Sequence, residues 1–148
     1  MESTETAVRR EVIIAASAET VWELLSDPAK ATRWMGIEAW FEPRPDGLYR
    51  VAVTHGQTAR GTFVEIDPPH RLVFTWGWEE DGASVAPGSS TVEIDLVPED
   101  GGTRVVLTHS GLDRKSGERH AVGWEHYLAR LAVTGAGGDP GPDPWLAG

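Results

Sequence analysis

The chain has 148 residues, no cysteine, and a formal net charge of −10 at pH 7. One core of useful size fits that length, and two would not. Disulfides, thiolate metal sites and cysteine nucleophiles are excluded, and so much negative charge opposes nucleic-acid backbones and anionic membrane surfaces.

In chain order, Met1 to Thr6 reads as a frayed leader. Ala7 to Ala15 reads as a first strand, with Val8, Val12 and Ile14 apolar and Arg9, Arg10 and Glu11 between them. Ser17 is a helix N-cap ahead of Val21, Trp22, Leu24 and Leu25, and Asp27-Pro28 stops that helix. Ala29 to Trp34 predicts a second short helix ending near Gly36. Strands follow at Ile37–Phe41, Leu48–Thr54, Thr58–Ile66 and Arg71–Trp78, separated by Pro43 to Gly47, His55-Gly56-Gln57 and Asp67-Pro68-Pro69. Glu79 to Ser89 is acidic and glycine-rich, and it predicts a mobile loop. Ser90 to Val97 alternates strictly, with Val92, Ile94 and Leu96 on one side, as a strand with one wet face does. After a hairpin turn at Asp100-Gly101-Gly102, Thr103 to His109 makes the last strand, with Val105, Leu107 and His109 in phase.

The long helix begins between Asp113 and Gly117 and runs to about Thr134. Its His120–Leu131 segment, HAVGWEHYLARL, sets Trp124, Tyr127, Leu128 and Leu131 on one broad face. A face of that width must lie across the sheet. The tail, 135–148, is rich in glycine and proline and predicts irregular structure, with Trp145 able to dock it back. The plan is α+β: a curved antiparallel sheet of six to seven strands wrapped around a long C-terminal helix, in one domain spanning 1–148. The N-terminal segment is polar, with no apolar signal core, and no run of about 18 apolar residues occurs. The expectation is a cytoplasmic protein without membrane insertion.

Several pieces carry a likeness. They are Pro28–Trp34 (PAKATRW), Gly61–Pro69 (GTFVEIDPP), Arg71–Trp76 (RLVFTW), Thr103–Leu112 (TRVVLTHSGL) and His120–Leu131 with its Gly123-Trp124 pair. Together, in this order, the chain resembles the helix-grip fold of the START-like (SRPBCC) superfamily, which includes the birch pollen allergen and the polyketide cyclases. Within it, the chain is similar to bacterial homologues of the activator of the Hsp90 ATPase. The resemblance implies a pocket between helix and concave sheet, but no single reaction.

Trp34, Tyr49, Val51, Phe74, Trp76, Trp78, Trp124 and Tyr127 fall on faces expected to turn inward, either lining a ligand cavity or filling a core. His109 and His120 are the candidate polar groups, able to orient a carbonyl or move a proton, or else to serve as hydrogen-bonded packing residues. His55, His70, His109, His120 and His126 include no pair at metal-ligand spacing, so no metal and no cofactor are expected. No nucleophile elbow and no glycosidase carboxylate pair is present.

The expected function is binding of a small apolar or aromatic molecule. The alternatives are a cyclase- or hydratase-type enzyme in the same pocket, using His109 or His120 with Tyr49 or Tyr127, and a protein-interaction module of the co-chaperone kind. No nucleic-acid partner is expected, and a homodimer is compatible with the sequence.

Overall fold

The computed structural model describes residues 5–146. In chain order it contains β1 (Glu5–Ile14), α1 (Ala18–Ser26), α2 (Pro28–Ala31), β2 (Glu38–Phe41), β3 (Leu48–Thr54), β4 (Gln57–Asp67), β5 (Arg71–Trp76), β6 (Ser90–Glu99), β7 (Gly102–Asp113), α3 (Arg114–Gly135) and a 3₁₀ turn at Pro144–Leu146. The strands form one antiparallel sheet in the order β1-β7-β6-β5-β4-β3-β2, with α3 against its concave side. Hairpins join successive strands from β2 to β7. β1 closes the order by pairing with the last strand, so the two helices α1 and α2 cross from one sheet edge to the other. This is the α+β helix-grip plan.

The expected leader divides. Met1 to Thr4 lie outside the described residues, whereas Glu5 and Thr6 pair with Asp113 and Leu112 in β1. Asp27 both ends α1 and caps α2, its Oδ1 accepting from the Ala29 N–H at 2.9 Å. The second helix thus starts at Pro28, one residue before its expected span, and ends at Ala31, short of Trp34. β5 stops at Trp76, and Trp78 instead makes an isolated bridge to Ala59. Between those tryptophans, a side chain on Gly77 would collide with the Ala86 carbonyl, so glycine lets the following loop lie against the strand.

That loop is tied down, contrary to the mobility expected of it. Glu79 takes both guanidinium contacts of Arg50, at 2.6 and 3.0 Å, and Glu80 accepts from the Thr58 N–H. Val85 is buried, and its carbonyl accepts from the Trp78 N–H at 2.7 Å. The Arg50 and Thr58 anchors lie 29 and 22 positions away in sequence, where local composition carries no sign of them. The convex sheet face is charged. Arg71 there joins Glu65, Glu93 and Asp95 at 3.3, 2.6 and 2.9 Å, half-exposed contacts worth little individually.

Candidate functional site

α3 starts where Asp113 accepts from the Ser116 N–H at 2.8 Å. That cap fixes the helix phase, which sends His120, Trp124, Tyr127, Leu128 and Leu131 into the sheet. The space between them and the sheet has two unlike ends.

One end is filled. Tyr49 stacks on Phe74 with centroids 3.9 Å apart, and Phe63 meets both rings edge-on. Trp34 donates its indole N–H to the Leu24 carbonyl at 2.8 Å. The void left among Trp34, Tyr49 and Phe74 is about 10 Å³, too small for a ligand.

The other end is a cavity of about 620 Å³, within the range of small-molecule sites. Trp76, Trp78, Trp124, Tyr127 and Trp145 give it aromatic walls, with Met35 and Val53 beside them. Glu80, Asp81 and Arg119 stand among its lining residues, as do His120 and Gly123. The inward-facing set read from the sequence is therefore split. Trp76, Trp78, His120, Trp124 and Tyr127 line the cavity, while Trp34, Tyr49, Phe74, Val51 and His109 do not. Val51 and His109 are fully buried in the core.

The histidines have determinate hydrogen bonding. Ser90 donates its hydroxyl to the Trp76 carbonyl at 2.7 Å, so its oxygen accepts from His109 Nε2–H at 2.8 Å. The other ring nitrogen, Nδ1, accepts from the Trp124 indole N–H at 3.0 Å. His120 donates Nδ1–H to the Ser116 carbonyl at 2.7 Å and accepts from the Trp76 indole at Nε2, 3.3 Å away. Each ring is thus a neutral imidazole with both nitrogens engaged. Burial brings His109 down to about 3, and the neighbouring His120, its ring 4.9 Å away, adds to the shift. His120 is also lowered, chiefly by burial.

The C-terminal segment supplies part of the wall. Trp145 stacks on His126 at 3.7 Å and meets Tyr127 edge-on at 5.5 Å. His126 donates Nε2–H to Asp143 Oδ1 at 2.8 Å, and Arg130 reaches both the Trp34 and Gly141 carbonyls at 3.1 Å. The docking expected of Trp145 is present, together with a 3₁₀ turn in a tail expected to be irregular. Sequence reasoning missed Gly123, Ser90 and Asp143. A glycine in mid-helix is a propensity cost of about 1 kcal/mol and could have signalled open space beside Trp124. Nothing in the sequence marks Ser90 or Asp143. Among the described residues, no three His, Asp or Glu side chains form a metal-ligand group. No described helix is long and apolar enough to cross a membrane.

Comparisons with known proteins agree with this architecture. The solution structure of an AHSA1-like protein from Rhizobium etli is 50% identical, with all of this chain and 94% of that one covered and a TM-score of 0.77. CalU16 from Micromonospora echinospora is 27% identical over 93% of this chain and 86% of its own, with a TM-score of 0.72. The Aha1 dimer from Colwellia psychrerythraea shares the fold at 14% identity, covering 93% of this chain and 99% of that one, with a TM-score of 0.76. Among curated proteins, none matches the sequence significantly. The family model described as "Activator of Hsp90 ATPase homolog 1-like protein" matches residues 15–136, nearly the whole folded part, and the chain belongs to that family.

Proposed function

We propose that this chain is a cytoplasmic START-like domain, spanning 1–148, that binds a small hydrophobic or aromatic molecule in the cavity beside α3. The observation that carries the reading is the aromatic wall of Trp76, Trp78, Trp124, Tyr127 and Trp145 around about 620 Å³. Apolar burial would drive binding, at roughly 25 cal/mol per Å² removed from water. Flat indole walls suit a flat ligand, which can stack or meet them edge-on.

The histidine geometry weighs toward binding and away from acid–base turnover. A general base needs a free nitrogen within reach of the substrate. Both nitrogens of His109 and of His120 already hold protein partners. Homodimerisation is a further part of the proposal, in keeping with the dimeric Colwellia relative.

Native mass spectrometry of the purified protein, followed by extraction and identification of bound material, tests the reading. One apolar molecule per chain is the expected result. A protein that arrives empty and then binds no member of an aromatic and acyl-chain panel would overturn it.

A further inference from the structure

The cavity and the small void at the filled end share a boundary. Met35 and Trp124 line both, so these side chains form the partition between them. Trp124 is locked in place. Its indole N–H donates to His109 Nδ1 at 3.0 Å, and its ring packs 5.4 Å from that of Trp76. The Met35 side chain has no such tie, but the backbone that carries it is held on both sides. Before it, Arg130 Nε donates to the Trp34 carbonyl at 3.1 Å and ties the chain to α3. After it, the Ile37 N–H donates to the Ala52 carbonyl at 2.8 Å, and a Cβ on Gly36 would come within 2.7 Å of that same oxygen. The buried Met35 side chain therefore starts from a point that α3 and β3 both fix. Elsewhere the cavity is wet, where the exposed residues Glu80, Asp81 and Arg119 line it.

We infer that Met35 is the stop at the inner end of the cavity, so that the site selects compact rings with short tails over long acyl chains. This rests on the proposed binding function and narrows its ligand class. An apolar tail seeks the driest apolar surface, while a polar group on the same molecule stays where water and charged side chains reach it. The tail therefore advances toward Met35. Past it lie Leu25, Leu72, Phe74 and Ile94 around only about 10 Å³, room for one water at most and none for a carbon chain. The rings there do not yield cheaply, since Tyr49 stacks on Phe74 at 3.9 Å and the Trp34 indole is held by the Leu24 carbonyl. A tail carbon beyond the stop stays in water and adds no affinity. Met35 is also the member of the partition whose length can be changed with least disturbance, being unbranched and without a hydrogen bond to lose.

The test is calorimetric titration of the full chain with 4-n-alkylphenols from methyl to octyl, whose hydroxyl keeps to the wet part of the cavity. Each methylene that is buried should tighten binding about fourfold. In the parent that gain should end within the series, and longer members should bind no more tightly. Met35→Ala removes the side chain beyond Cβ and joins cavity and void, so the gain should continue for about three more carbons. Met35→Val leaves a smaller hole, should extend the gain by about one carbon, and decides the matter if Met35→Ala does not fold. The methyl member, too short to reach the stop, should bind parent and variants alike. A gain that runs unbroken to octyl in the parent, or a limit that stays put in a folded variant, overturns the stop and leaves the binding site standing. Failure of the whole series to bind the parent overturns the binding reading and the stop with it.

Discussion

Two of the three glycines in α3, Gly123 and Gly135, have opposite surroundings, so one substitution made twice should have opposite signs. At Gly123 a Cβ would meet nothing within 4 Å, because the position opens on the cavity. At Gly135 a Cβ would come within 2.6 Å of Ile14 Cγ2. Gly123→Ala therefore gains helix propensity with no steric cost, about 0.8–1 kcal/mol. Gly135 is the last helical residue, where propensity counts least, and the facing methyl belongs to a β-branched side chain with little rotamer freedom. Overpacking there should cost about 1–3 kcal/mol. For a chain of this size, 1 kcal/mol moves Tm by about 3 °C. Thermal melts followed by circular dichroism should then place Gly123→Ala about 3 °C above the parent and Gly135→Ala about 3–9 °C below it. Extending the same vector with Gly123→Leu should fill cavity space and weaken binding of an apolar probe. A destabilised Gly123→Ala protein would refute the open space beside the helix. Undiminished probe binding by Gly123→Leu would refute the cavity as the site.

Three further outcomes are expected. His109 has a folded pKa near 3 against 6.5 ordinarily, so below pH 6.5 the unfolded chain takes up a proton that the native one refuses. Its contribution is complete above pH 6.5 and falls by roughly 1.4 kcal/mol per pH unit towards pH 3, so in urea titrations at pH 7 and pH 5 His109→Gln should show a smaller acid loss than the parent; parallel losses would show that His109 is not the group responsible. Trp124→Ala should cost about 3–5 kcal/mol by denaturant melt, since it removes a buried indole and strips His109 Nδ1 of its donor, and a parent-like midpoint would contradict the packing of α3. Trp145→Ala removes a half-exposed wall ring stacked on His126, so probe affinity should drop several-fold while Tm moves by no more than a few degrees; unchanged affinity would place the ligand away from that wall.

What was legible in the sequence follows the range over which each signal acts. β6 announced itself because Val92, Ile94 and Leu96 alternate with charged residues, and β3 matched residue for residue. β7 runs four residues past His109, because Ser110-Gly111 reads as a turn yet continues the strand. The period of two gives the face of a residue but not its depth along the sheet. Trp76 and Phe74 share a face, and only Trp76 reaches the cavity, while Phe74 stacks on Tyr49 at the filled end. His109 was in the right phase, yet its partners Ser90 and Trp124 lie on other elements and no local pattern joins them. The clamp of Asp143 on His126 spans 17 positions through a tail whose composition suggests no structure at all.

The aromatic wall has a spectroscopic consequence. Four of the chain's seven tryptophans, Trp76, Trp78, Trp124 and Trp145, border the cavity, and the remaining three are Trp22, Trp34 and Trp40. A ligand entering would displace water from beside more than half of the emitting indoles and leave the others as an internal reference. Intrinsic fluorescence should therefore shift and quench only in part on binding, letting the unlabelled protein report its own occupancy.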